Sequence, residues 1–383
     1  MHKYINTTIF LLVIVQTLLS GCSTNPVTGR NNLTLHPPSW DLQTGASQYQ
    51  PSLQSQGGEY EVDEELSVYI NEVGQRVAQY SPNKLPYEFT VLNNSVPNAW
   101  ALPGGKIAIN RGLLTELNSE AELAAVLGHE VIHSAARHGA QSQSRNSILT
   151  GVVAATSLVT QGSQYGQIAS IGAGLGSQLV NTRSGRDAER ESDLFGMELM
   201  SKAGYDPQGA VALQETFVRL SQNRDQDWIS GLFASHPPSQ ERVENNKKKV
   251  TELPRGGDFG REKYQQRIAY IREKQPAYEA YEKGLAAANE GDFREADRLA
   301  QQAIQLEPKE AKFYSLRGDV AASRNDLVQA EQFYNEALQR DDKWFYLPLR
   351  RGIIRQQMDK GSQARGDLQS SLNLLSTGVG FYQ

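Results

Sequence analysis

Between about Glu61 and Tyr80, apolar residues recur at helical spacing: Leu66, Val68, Tyr69, Ile70, Val73 and Val77. Such a stripe predicts an amphipathic helix. Two apolar pieces follow, Tyr87–Leu92 and Lys106–Ile109, which predict strands flanking the Gly- and Pro-rich stretch Pro97–Gly105. Ser119-Glu120-Ala121-Glu122 then reads as a capping box, with Ser119 as N-cap and Glu122 three residues on. The helix it starts is predicted to run to about His138. On a wheel, Glu122, His129, Glu130, His133 and Arg137 share a wedge of about 100° with Val126, while Leu123, Leu127, Val131, Ile132 and alanines fill the rest. This pattern describes a helix buried nearly all round, with one polar stripe opening on a site.

Residues 146–182 carry no charge and mix Gly, Ala and Ser with Val, Leu and Ile. A membrane hairpin is one reading. Four glutamines (Gln161, Gln164, Gln167, Gln178) and five glycines from Gly162 to Gly176 favour instead a pair of closely packed or mobile helices over the site. The last hundred residues repeat. Gly284, Gly318 and Gly352 fall 34 apart, as do Ala296, Ala330 and Ala364, and Ala303 and Ala337 keep the register. Small residues at this period resemble tetratricopeptide repeats, in which helix pairs stack into a solenoid. Ser371 in place of the alanine and Pro348 near its start mark the third copy as a terminal cap.

Composition adds compartment and excludes one class of partner. The net charge of −5 gives no support for nucleic-acid binding. Cys22 is the single cysteine, so no internal disulfide can form. It follows a weakly basic start, an apolar run from Ile9 to Leu19, and Leu19-Ser20-Gly21. That run is short for a span and has the shape of a secretory signal, with an uncleaved anchor as the alternative. The ending resembles a bacterial lipobox. It implies lipidation of Cys22 and, with Ser23 next, sorting to the outer membrane, so that the protein works in the periplasm. Residues 23–57 are polar and weakly periodic and read as a tether.

The chemistry sits in His129-Glu130-Val131-Ile132-His133. A spacing of four puts both imidazoles on one helix face, able to grip one metal ion, with Glu130 placed to act on water. A catalytic zinc needs a third protein ligand and an open position. Glu189-Arg190-Glu191-Ser192-Asp193 offers it: Glu189 as ligand, Asp193 to orient a zinc histidine through its other nitrogen, and Glu191 as rival ligand. His138, five residues after His133, reads as a surface or capping histidine. Trp100 reads equally as a substrate contact or as core.

HExxH followed by E-x-x-x-D resembles the zinc peptidase family that includes the CAAX prenyl proteases and the periplasmic β-barrel assembly-enhancing proteases. Asn98-Ala99-Trp100-Ala101-Leu102-Pro103-Gly104-Gly105 ahead of the zinc helix, and His236-Pro237 with Arg242, extend the likeness. The signal and repeats narrow it to the assembly-enhancing group. The resemblance implies one Zn²⁺ per chain on His129, His133 and Glu189, with Glu130 as general base and Asp193 as proton donor. His236 and Arg242 would stabilise the oxyanion, or His236 would latch the open metal position. The hairpin around Asn98, Ala99 and Trp100 would hold an extended peptide. The short Gly-rich region departs from the membrane members, so a prenylated substrate is not expected.

The expected architecture is mainly α (α+β): a zincin-like metalloprotease domain with a small β-hairpin or sheet, then an α-solenoid. Expected boundaries are a signal at 1–21, a tether at 22–57, the peptidase domain at 58–255, a linker helix at 256–277 and repeats at 278–376. The implied function is a lipid-anchored endopeptidase acting on misassembled outer-membrane proteins, with the repeats docking substrate or assembly machinery. The alternative is a repeat-based chaperone or adaptor with a latent protease site.

Overall fold

The computed structural model describes residues 22–160, 166–223 and 236–376. The expected signal at 1–21 lies outside the described residues. A short hairpin opens the described chain, β1 (Cys22–Thr24) and β2 (Asn31–Leu33), and leads into helix α1 (Pro38–Ser55). This corrects the expected tether. The buried positions of α1 include Asp41, Gly45, Tyr49 and Leu53, a stripe with a spacing of four. Only two of those four are large and apolar, so the stripe is faint in composition. Gly45 is required by a close approach: any side chain there would run into the Pro103 carbonyl.

Helix α2 (Glu64–Ala78) follows the predicted stripe, with Asp63 as N-cap accepting from the Leu66 amide at 3.1 Å. Val68 is the exception and faces solvent. Next comes a three-stranded sheet of β3 (Glu88–Leu92), β4 (Ala99–Leu102) and β5 (Lys106–Asn110) in the order β3-β5-β4. β3 runs parallel to β5, and β4 pairs with it as an antiparallel hairpin. Alternation gives each face its own contacts. Phe89, Val91, Ala99, Ile107 and Ile109 join the main core, while Leu92, Trp100, Leu102 and Ala108 pack with Tyr49 and Leu53 of α1.

After α3 (Arg111–Glu116), the central helix α4 (Glu120–Ala135) is buried at every position but His133. Ser119 caps it, accepting from the Glu122 amide at 3.2 Å, and Glu122 returns a bond to the Asn118 amide at 3.1 Å. Glu122 therefore serves the helix start, not the site. The helix ends at Ala135, short of the expected His138, because Arg137 takes a left-handed conformation with φ 62°. The buried Arg137 guanidinium pairs with Asp41 and donates to the carbonyls of His36 and Pro37 at 2.9 and 3.0 Å. The N-terminal segment is thereby clamped to the end of α4.

Helices α5 (His138–Thr160) and α6 (Gly166–Lys202) pack as a pair, as expected for the Gly-rich region. Among the described residues, no helix is long and apolar enough to cross a membrane. Helices α7 (Gln208–Asn223) and α8 (Gln240–Val250) complete the layer around α4. The expected linker is instead core. Short helices α9 (Arg261–Arg267) and α10 (Ala269–Glu273) bury Tyr264, Ile268 and Ile271 in the main cluster, and Tyr264 donates to the Leu114 carbonyl at 2.7 Å.

Three helix pairs follow: α11 (Gln275–Asn289) with α12 (Phe293–Leu306), α13 (Ala311–Ser323) with α14 (Leu327–Leu338), and α15 (Tyr346–Gln357) with α16 (Gly361–Ser376). In each pair the glycine of the first helix faces the second, and Ala296, Ala330 and Ala364 are buried. A further register emerges at the turns. Gly291, Asn325 and Asp359, again 34 apart, all adopt positive φ, the conformation these three residue types tolerate best. The solenoid is fused to the peptidase domain. Glu310 accepts from Asn93 at 2.9 Å and Tyr278 at 2.8 Å, the buried Lys312 donates to the Asn93 carbonyl, and Gln54 of α1 bonds the backbone of Lys343 and Phe345.

Candidate metal and catalytic centre

Helix periodicity sets the first half of the site. His129 and His133 stand one turn apart on α4, and their Nε2 atoms are 3.0 Å from each other. α6 crosses α4 closely because Gly128 meets Gly196, where a Cβ would come within 3.0 Å of backbone. That crossing brings in Glu189, whose carboxylate oxygens lie 3.1 Å from His133 Nε2 and 3.4 Å from His129 Nε2. The short stretch leading into α8 supplies the fourth donor: His236 Nδ1 is 3.2 Å from His129 Nε2 and 3.0 Å from Glu189. Glu191, the rival ligand, is not in this group.

These separations test the fit of a metal. Ligand atoms about 2.0–2.1 Å from a tetrahedral ion stand roughly 3.3 Å from each other. The observed spacings of 3.0–3.4 Å among His129, His133 and Glu189 match that geometry for two imidazoles and one carboxylate, and His236 lies within 4.8 Å of all three. With no cysteine among them, the donors are those of a catalytic site and not of a sulfur-rich structural one.

The electrostatics follow from crowding charge in a buried space. Burial disfavours a charged His129, but Glu189 and Asp193 outweigh it and push the metal-free imidazole up to about 10. Burial would raise Glu189, yet the His129 charge and hydrogen bonds with His129, His133 and His236 hold it far below the usual carboxylate range. Asp193 accepts from His129 Nδ1 at 3.0 Å. Arg242 grips the same carboxylate with Nε and Nη2, each at 2.7 Å, and its Nη1 lies 3.2 Å from Glu189. Burial would raise Asp193 too, and these partners overcome it, so the group is held ionised.

Glu130 lies on the other flank, buried, with Oε1 3.4 Å from His236 Nε2. Two hollows meet at Glu130 and His236. One is a cleft lined by Trp100 to Leu102 of β4 and by Pro103 after it, together with His133, Ser134 and Glu189. The other is a small cavity of about 30 Å³ with apolar walls from Leu113, Val126, Met197, Leu213 and Phe217. Ser134 Oγ donates to the Leu102 carbonyl at 3.0 Å and holds β4 beside the helix. The indole of Trp100 turns away to α1, donating to Gln56 at 3.1 Å and meeting Tyr49 edge-on. The strand therefore offers the cleft its backbone, with Ala99 and Ala101 on the opposite face from Trp100. Asn98 pairs through its carbonyl with the Asn110 amide at 2.8 Å.

The residue that sequence reasoning misjudged is His138. It is buried, with Nδ1 3.1 Å from His133 Nδ1 and Nε2 3.3 Å from Glu191. Helical spacing placed it on another face, but the left-handed Arg137 swings the chain back. No signal short of recognising that break would have found it.

The fold and site define a metallopeptidase domain built on an HExxH helix and a glutamate from a second helix, followed by tetratricopeptide repeats. Residues 63–250 match the model of peptidase family M48, and that stretch is a domain of this family. The chain is 25% identical over 300 residues to the beta-barrel assembly-enhancing protease of Escherichia coli, covering 69% of this chain and 60% of that one. It is 33% identical over 171 residues to metalloprotease YcaL of Escherichia coli, covering 44% and 64%. Among solved structures, the Arabidopsis OM64 TPR domain aligns with 27% identity and a TM-score of 0.26, covering 27% of this chain and 84% of that one. The chain thus spans 60 to 64% of the length of these two relatives.

Proposed function

We propose that this protein is a zinc-dependent endopeptidase of the bacterial periplasm, anchored to the outer membrane through lipid on Cys22, that removes or helps assemble misfolded outer-membrane proteins. One observation carries the enzymatic part: donor atoms from three distant segments converge within 4.8 Å of one another, with Glu130 beside them and outside that group. The name of the Escherichia coli relative supports the client class, and the short apolar run before Cys22 supports the compartment.

His129, His133 and Glu189 would hold the ion. Bound zinc supplies Lewis-acid polarisation of water and of the scissile carbonyl. Glu130 accepts the proton of the attacking water and carries it to the leaving amine. Asp193 keeps the His129 proton on Nδ1 and so its Nε2 free, and Arg242 locks Asp193 in that pose. An extended peptide adds to the free edge of β4 through main-chain hydrogen bonds, which gives little sequence preference. The solenoid docks the client or the assembly machinery.

His236 is the observation that favours a second reading. Its Nδ1 takes a fourth donor position, so it latches the site until it swings away. A protease held shut in this way would act as an adaptor through its repeats. Casein cleavage with zinc present separates the two: His236→Ala should match or exceed wild type, and Glu130→Gln should be inactive. A metal-loaded His236→Ala protein that binds outer-membrane clients yet cleaves nothing would leave the adaptor reading standing.

A further inference from the structure

The groups that this mechanism leaves unused lead from the site back to the start of the described chain. His133 turns Nε2 toward His129 and Glu189, leaving Nδ1 on the far side of the ring, 3.1 Å from His138 Nδ1. Two ring nitrogens facing each other share one proton. His138 Nε2 faces Glu191 Oε1 at 3.3 Å, and an ionised carboxylate only accepts. The proton on His138 therefore sits at Nε2, and its bare Nδ1 accepts from His133 Nδ1–H. That leaves His133 Nε2 without a proton, the form a metal ligand must have.

The relay continues. Asn25 Nδ2 donates to the same Glu191 oxygen at 2.7 Å, and Asn25 is itself 2% exposed. Its Oδ1 closes an Asx turn, taking the amides of Val27 at 2.8 Å and Thr28 at 3.3 Å, so the side chain is fixed at both ends. The turn belongs to the β1–β2 hairpin, which Ser144 ties to α5 by accepting from the Leu35 amide at 2.9 Å. One helix, α6, thus supplies the ligand Glu189 and both orienting acids, Asp193 for His129 and Glu191 for His133 through His138.

We propose that the segment directly following Cys22 is a brace of the metal centre. Asn25, Glu191 and His138 are positioning residues that hold His133 in its metal-binding tautomer and orientation. The hairpin that looked like a tether is then part of the catalytic apparatus, three residues from Cys22. This inference rests on the reading of His129, His133 and Glu189 as metal ligands.

The test uses the full chain and reads zinc affinity by competition with a chromophoric chelator, alongside kcat and KM on a casein-derived peptide. Asn25→Asp keeps the acceptor of the Asx turn but replaces the donor with a second carboxylate against Glu191. It should weaken zinc roughly 10- to 100-fold and lower kcat while KM stays within about twofold. Glu191→Ala should do the same. The double variant Asn25→Asp/Glu191→Gln exchanges donor and acceptor and should recover zinc affinity to within about threefold of wild type. Asn25→Asp binding zinc like wild type overturns the brace, and so does a loss that the double variant fails to recover. Glu189→Ala separates the two readings, because it should abolish zinc binding whether or not the brace exists. If wild type binds no zinc, the metal site and the brace fall together.

Discussion

The repeat domain and the catalytic centre are both closely packed, yet they are built from opposite kinds of contact. In the solenoid each small residue meets a neighbour near in sequence: Gly284 meets Leu299 and Leu316, Gly318 meets the ring of Tyr334, and Gly352 meets Leu368. These contacts are apolar and recur every 34 residues. In the centre, His129 reaches Asp193 across 64 residues and His236 across 107, and every partner is ionisable. A missing apolar contact leaves a small gap, whereas a missing charge leaves another stranded out of water. Errors in the repeats should therefore cost little each, and errors in the centre a great deal.

The steepest break should come from Glu130→Gln. Peptide cleavage should fall at least 10²- to 10⁴-fold while metal analysis still finds one zinc per chain, because Glu130 is not among the donors. Loss of zinc together with activity would move Glu130 into the ligand set and erase the division of labour drawn above.

Asp193→Asn tests the stranded-charge argument on the stability side. Arg242 is buried and bonded twice to that carboxylate, so urea unfolding should show a loss of about 3–5 kcal/mol. A cost under about 1 kcal/mol would mean that the centre tolerates an unpaired charge as the repeats tolerate a gap.

Lys312 sits where the two regions meet, and it sharpens the comparison through pH. Burial of its ammonium, only partly offset by Glu310, pulls it down from 10.5 to about 8. Below that the lysine is charged in both folded and unfolded chains, and the cost of burying the charge is paid in full. Between about 8 and 10.5 the folded protein has released a proton that the unfolded chain still holds, so stability should rise with pH, by about 3 kcal/mol across the window. Urea midpoints of wild type against Lys312→Met should diverge in that range, with the variant lacking the rise. Parallel curves would show that Lys312 titrates as in water.

The smallest effects belong to the repeats. A methyl at Gly318 would come within 2.9–3.1 Å of the buried Tyr334 ring, which has nowhere to turn, so Gly318→Ala should cost about 1–2 kcal/mol. At Gly352 the obstacles are the end of Leu368, at 3.1 Å, which can rotate aside, and the Asp367 Cβ, at 3.2 Å, which needs a shift of only a few tenths of an ångström. There the helix-forming gain of alanine, about 1 kcal/mol, should leave thermal melting nearly unchanged.

The same contrast explains what could be read in advance. The Gly and Ala register of the repeats, the capping box at Ser119 and the HExxH pair are local patterns, and each reappears where it was expected. The choice between Glu189 and Glu191 was not local. Both lie on one helix, and which of them reaches the histidines depends on how α6 crosses α4 at Gly196 and Gly128. Trp100 was ambiguous for a related reason: alternation puts it opposite Ala99 and Ala101, but only α1 shows which face is covered. Helix α1 itself was missed because its buried stripe spends two of four positions on Asp41 and Gly45, whose value lies in Arg137 and in the Pro103 carbonyl.

By itself the chain's order of residues determined which side chains share a helix face, where helices begin, and the period at which helix pairs recur. Backbone geometry converts spacing into direction over a few turns without further help. Only the tertiary structure decided which carboxylate meets the histidines, that His138 stands behind His133, and that the residues after Cys22 belong to the core. Those outcomes depend on distances between separate elements, which are set by how the elements pack against one another.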